Sequence, residues 1–363
     1  MRPRMVKQGL AAVSGMPLLA ALCLLAAAGC ENDLPRASNI ERMRVLGGLT
    51  QVIGDEARST PKPGEKARLS WSMAYPDPQL DDSNLASVFF VCTAPEQFSG
   101  VPVCQELIEV ARGGSITGVL DAVMEGREID CAKTPDRTVQ AGPFTVVCVT
   151  GTPRLDVAIP KDTKVAGKLV RGIICQNGAP RFDPNDPTGM SCDASADEHI
   201  AVYGTIPIQY SDAEANQNPS IDAASFFFHD PPVPWQPVAE DVRAELNDDS
   251  CLDESKAKHV MHTEGHKEQI TLRYDAEQRE QRDGQPEGLE FSAYTTFGKL
   301  SQRFTIFRSN AELPLKNSFD WEITEDERKE LNDKSKHVRF FFTVMDGRGG
   351  YATTSRDLCI NRQ

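Results

Sequence analysis

Apolar residues in this chain tend to fall at every second position, in short runs separated by turn formers. The clearest run is 66–73, where Ala67, Leu69, Trp71 and Met73 alternate with polar neighbours, the period-two signature of a strand with one buried face. Ahead of it, Pro61-Lys62-Pro63-Gly64-Glu65 is a turn. Similar runs predict strands at 42–46, 87–92, 144–149, 155–159, 168–175 and 200–208. Ile116, Val119, Leu120 and Val123 instead have helical spacing and predict a short helix over 115–124. Residues 210–219 are polar and rich in turn formers, so a domain junction is expected there, with 211–219 as the linker.

Beyond the junction, strands are expected at 220–228, 268–274, 290–294, 303–308, 338–345 and 351–360. A charged loop is expected at 275–288 and a short exposed helix at 325–334. In the last pair, Phe340, Phe342 and Val344 share one face, and Phe341, Thr343 and Met345 the other. Asp346-Gly347 lets the chain reverse, with Arg348 expected exposed at the turn tip and Cys359 carried back to the sheet. Many short strands and few helices predict an all-β chain of two antiparallel sandwiches, at 41–210 and 220–363. No internal repeat is evident in the sequence.

The N-terminus differs from the rest. Arg2, Arg4 and Lys7 precede an apolar run over 9–28, and Ala26-Ala27-Ala28-Gly29 leads into Cys30. Such a layout is a secretory signal peptide, assigned to 1–29. Small residues abutting a cysteine resemble a bacterial lipobox, which implies cleavage before Cys30 and lipidation of Cys30. Residues 30–40 are then a lipidated tether to a membrane. Glu31 after the cysteine implies the outer membrane, by resemblance to lipoprotein sorting rules.

Without the leader the chain has 36 basic and 53 acidic residues, a net charge of −17. That balance argues against nucleic acid and against adhesion to an anionic bilayer through a basic patch. Eight cysteines remain after Cys23 and Cys30: Cys92, Cys104, Cys131, Cys148, Cys175, Cys192, Cys251 and Cys359. An even number in an exported chain reads as a disulfide set. Eight cysteines allow 105 connectivities, and short loops favour the sequential pairing 92–104, 131–148, 175–192 and 251–359. No C-x-x-C occurs, which weakens a zinc reading.

Candidate chemistry is sparse. His259, His262 and His266 could hold zinc, copper or nickel only on a common face, and the turn-like Thr263-Glu264-Gly265 favours a solvated loop. Asp183-Pro184-Asn185-Asp186-Pro187-Thr188-Gly189, with Asp193 and Asp197, offers calcium-type oxygens, but the same residues are what turns use. Asp346-Gly347-Arg348-Gly349-Gly350 lacks the Lys-Ser/Thr of a phosphate-binding loop. No G-x-S-x-G occurs. Phe226-Phe227-Phe228, Phe340-Phe341-Phe342 and Trp235 are expected in core or interface packing ahead of an exposed ligand platform. No catalytic residue, metal ligand or cofactor is assigned.

The run from Phe340 to Gly350 resembles the terminal hairpin of immunoglobulin-like and polycystic-kidney-disease-type domains of bacterial surface proteins. Pro63-Gly64-Glu65 and the strand after it resemble their first turn. With the lipobox, the chain resembles cell-surface lipoproteins abundant in myxobacteria. That resemblance implies no catalytic or binding residue. A non-catalytic envelope lipoprotein with a structural or binding role is expected, attached to a membrane through lipid on Cys30. An envelope protein or a glycan is the expected class of partner. A module binding carbohydrate or protein through its strand-connecting loops is the alternative, and a secreted enzyme with an unrecognised site comes third.

Overall fold

The computed structural model describes residues 38–77, 80–95, 104–106, 131, 136–141, 144–182, 190–212, 215–252, 260–264, 267–331 and 334–361. The signal peptide with Cys30, the helical spacing at 115–124, the loop 183–189, and His259 and His266 lie outside the described residues.

Alternation and turns produce a chain built almost wholly of strands. The first ten are β1 (Arg44–Val52), β2 (Lys66–Ala74), β3 (Leu85–Thr93), β4 (Thr138–Ala141), β5 (Phe144–Thr150), β6 (Arg154–Ala158), β7 (Gly167–Gln176), β8 (Pro180–Phe182), β9 (Met190–Cys192) and β10 (Glu198–Pro207). They form a sheet of order β1-β2-β6, a sheet of order β10-β7-β3-β5-β4, and a β8-β9 hairpin. Leu69, Trp71, Leu155 and Val157 of the first sheet meet Phe89, Val91, Val170, Ile174 and Ile206 of the second in one core. Trp71 stacks on Phe89 with ring centroids 4.6 Å apart.

The remaining strands are β11 (Ala224–Phe228), β12 (Val233–Pro234), β13 (Met261–Thr263), β14 (Lys267–Tyr274), β15 (Gln281–Arg282), β16 (Gln285–Pro286), β17 (Leu289–Thr295), β18 (Lys299–Leu300), β19 (Phe304–Phe307), β20 (Leu315–Glu322), β21 (Lys336–Met345) and β22 (Tyr351–Ile360). Two short helices accompany them, α1 (Glu240–Glu245) and α2 (Glu325–Leu331). The sheets have the orders β12-β11-β14-β20-β18 and β13-β22-β21-β17-β19. Phe226, Phe228, Ile270, Phe319 and Trp321 of one face Phe291, Phe340, Phe342 and Val344 of the other. The hairpin Phe340, Phe342 and Val344 is buried as its alternation requires.

The two halves repeat one strand order. β1-β2-β6 corresponds to β11-β14-β20, and β10-β7-β3-β5 to β22-β21-β17-β19. First, second and fifth strands in one sheet, with third, sixth and seventh in the other, is the Greek-key order of the immunoglobulin sandwich. The fold is all-β, its sandwich strands pair antiparallel, and its repeat lies in the topology.

Cysteines are paired on the outer faces of these sheets. Cys92 pairs with Cys104, Cys131 with Cys148, Cys175 with Cys192 and Cys251 with Cys359. In the first half, Val88, Phe90, Phe144, Val146, Leu169 and Ile173 form a second apolar layer with six cysteines, on the face of the sheet away from the core. With apolar cover on both sides, β3 and β7 carry near-continuous apolar sequence, as buried strands do.

Candidate functional site

Among the described residues, those singled out for metal or calcium chemistry, His262, Asp193 and Asp197, are each engaged locally. His262 lies on β13, which runs parallel to β22, and its Nδ1 is 3.0 Å from Asn361 Nδ2. Asp193 accepts from the backbone N–H and hydroxyl of Ser195, and Asp197 accepts from Asn177 Nδ2, so both carboxylates fasten turns. Cys92 and Cys104 approach Glu106, but their sulfurs are spent in a disulfide and the Glu106 carboxylate accepts from Thr93 N. Trp235 is 2% exposed, and its indole N–H donates to Asp357 O at 3.0 Å.

One expectation is corrected. Arg348 is not exposed at its turn tip: it is half-buried, donating from Nη2 to Glu280 at 2.8 Å and to Glu287 at 3.5 Å. The partners come from the loop at 280–287, far away in sequence, which local turn chemistry could not reveal. The turn itself holds, with Gly347 at φ +74° and the Asp346 carboxylate accepting from Arg348 N and Gly350 N.

Two polar clusters emerge instead. In the first, His337 and Asp357 on the paired strands β21 and β22 are both 0% exposed, with Nε2 2.9 Å from Oδ1. Arg339 Nε donates to the same oxygen at 3.1 Å, and Arg243 Nε from α1 donates to the other at 3.3 Å. Burial pushes the Asp357 carboxyl up, but the His337 hydrogen bond and the charges of Arg339, His337 and Arg243 outweigh it and hold it below the usual carboxylate range. Burial pulls the neighbouring Arg356 guanidinium down to about 10, assisted by Arg243. A His–carboxylate pair is a catalytic part when a nucleophile and a cleft adjoin it. Here the carboxylate is capped by two guanidinium groups, and the 251–359 disulfide closes the adjoining segment.

The second cluster joins the sandwiches. Asn216, 2% exposed, donates from Nδ2 to Ser59 Oγ at 2.9 Å in one half and to Asp346 Oδ2 at 2.6 Å in the other. Asn218 Nδ2 donates to Thr50 O, and its Oδ1 accepts from Tyr351 N. Gln217 N donates to Glu280, which also holds Arg348. Arg58 closes the first-half side through Glu65 at 2.8 Å and Asp55 at 3.1 Å. Beside this joint, Ile40, Leu46 and Ala74 pack on Tyr294 and Phe341, the outward faces of β17 and β21. A Cβ on Gly47 would fall 2.2 Å from Tyr351 Cε2, so the close approach of β1 to β22 favours glycine there. Burial raises the Glu287 carboxyl, against the Glu280 N–H, and the nearby Asp346 and Glu280 charges add to the rise.

No protein-family model and no curated protein matches the sequence. Among solved structures the chain is similar to the D0-D1 domain of intimin, with 9% identity, 87% of this chain and 98% of that one covered, and a TM-score of 0.19. It is also similar to Escherichia coli alpha-2-macroglobulin activated by porcine elastase, with 5% identity, 90% and 22% covered, and a TM-score of 0.20. Mouse protocadherin-24 EC1-3 gives 11% identity, 87% and 90% covered, and a TM-score of 0.15. Likenesses this weak carry no functional argument, and the fold is read from the strand order.

Proposed function

We propose that this chain is a non-catalytic lipoprotein of the cell envelope, attached to the outer membrane through lipid on Cys30, whose two sandwiches act as one structural or binding body. The observation that supports it most is the joint. A linker of ordinary polarity has its central asparagine buried and bonded to both halves. A segment with buried, doubly bonded polar groups transmits force or orientation between the parts it joins, whereas a solvated linker would not. Burial of the His337–Asp357 pair under Arg243 and Arg339 favours a structural task for that dyad.

The attachment is tested with Cys30→Ala. The variant should leave the membrane fraction or accumulate unprocessed, and the wild-type N-terminal peptide should carry acyl mass. Unchanged fractionation and an unmodified Cys30 would overturn the lipoprotein reading.

A further inference from the structure

The outer face of the β10-β7-β3-β5-β4 sheet carries one guanidinium that no side chain among the described residues answers. Arg171 interrupts the apolar run of β7, between Leu169 and Ile173 on the same face. In register it stands opposite Phe90 on β3 and Tyr203 on β10, so the three side chains form a row across the sheet, with Cβ spacings of about 5 Å. The Arg171 side chain has no hydrogen bond and no ion pair among the described residues, although the chain holds 53 acidic groups. It is half-buried, and burial lowers its guanidinium from the ordinary value. A cation withdrawn from water without a partner is costly and is normally paired.

Its surroundings are built firmly. Cys92, one row away beside Leu169, is tied to Cys104, and Cys175, two rows away on β7, is tied to Cys192. Tyr203 is 59% exposed, and His199, Ala201 and Thr205 share its outward face. A half-buried guanidinium thus stands in register beside an exposed aromatic ring on a sheet braced by disulfides.

We infer that Arg171 and Tyr203 form a binding site for a carboxylate-bearing sugar, the carboxylate paired with the guanidinium and the apolar face of the sugar ring laid on the tyrosine. Guanidinium groups recognise carboxylates through two parallel hydrogen bonds, which a neutral sugar cannot supply. An aromatic face adds apolar contact without imposing sequence on the ligand. The site is independent of the lipid on Cys30, so loss of membrane attachment and loss of sugar binding fail separately. It gives the binding role of the proposed function a ligand class.

The test is a calorimetric titration of the full chain with oligogalacturonate, neutral dextran oligosaccharide and poly-glutamate. Oligogalacturonate should bind and the other two should not. Arg171→Gln should weaken binding by about tenfold or more, since a charge-assisted pair is lost, and Arg171→Lys should recover only part of it. Should Arg171→Gln fail to melt cooperatively, Tyr203→Ala decides the matter, because an exposed aromatic can be removed without opening a core. Unchanged affinity in a folded Arg171→Gln or in Tyr203→Ala, or no binding of oligogalacturonate, would overturn the site. Equal binding of dextran or poly-glutamate would overturn the ligand class.

Discussion

The two sandwiches share a strand order, and each carries a smaller apolar cluster outside its main core, but they fasten that cluster differently. In the first, three disulfides with separations of 12, 17 and 17 residues staple connections back to the strands they leave. In the second, one disulfide joins residues 108 apart, and α1 adds Arg243 to the buried Asp357. Trp235, from the segment leading into α1, is held by Asp357 O and by Arg356 Nε, which donates to Trp235 O at 2.8 Å. Local staples stabilise a layer that is otherwise apolar. The distant staple and the ion network tie that segment to the last strand. The same topology therefore tolerates two kinds of cohesion.

The largest test of that contrast is to cut each staple. In the chain-entropy picture, replacing Cys251 and Cys359 with Ser should destabilise by about 4–5 kcal/mol, and replacing Cys175 and Cys192 by about 3 kcal/mol. Urea unfolding of both double variants measures the difference. Equal losses would mean that the local staples do more than close loops.

Asp357→Ala should cost about 3–5 kcal/mol, since it leaves His337, Arg339 and Arg243 without their shared acceptor. A loss below about 1 kcal/mol, read from the urea midpoint, would make the network incidental and leave the disulfide as the main fastening. Gly347→Val should follow at about 1–3 kcal/mol, because Gly347 sits at φ +74°. No atom lies within 4 Å of a Cβ built there, so the cost is backbone strain without a clash. The same substitution at Gly54, φ +93° and equally open, should behave alike if strain is the cause.

The terminal hairpin was legible because one face of it enters a single core, and Phe340, Phe342 and Val344 keep their period. β20 was not legible. Leu315, Phe319 and Trp321 alternate, but Asn317 occupies the intervening inward position, where its Nδ2 reaches Gln302 and Thr305 at the open side of the sandwich. A polar residue satisfied by a distant partner looks, in sequence, like a broken strand. The joint was hidden for the same reason: Asn216 and Asn218 read as turn formers, while their partners lie near residues 50–60 and 346–351. Arg171 did leave a signal, as the one charge inside the apolar run Leu169–Cys175. Its meaning came from register, which placed it between Phe90 and Tyr203.

The smallest expected effect separates the joint from the buried network by pH. Asp357 is held below its ordinary value, so its contribution is fully present above about pH 4 and is lost as pH falls through the folded-state value. Glu287 is raised, so the folded chain keeps that proton longer than the unfolded chain does. Stability therefore falls as pH rises from the ordinary value of 4.5 towards the raised one. Glu287→Gln removes that slope. Its backbone contact with Glu280 N can persist through the amide oxygen, and Glu280 still holds Arg348 at 2.8 Å. Melting temperatures between pH 4.5 and 7 should accordingly decline less in the variant than in the wild type. Asp357→Asn should lower stability above about pH 4, where the ionised carboxylate contributes, and flatten the acid limb below it. If Glu287→Gln retains the wild-type decline, the carboxyl at the joint is not the group that feels its burial, and the joint would tighten on acidification for some other reason or not at all.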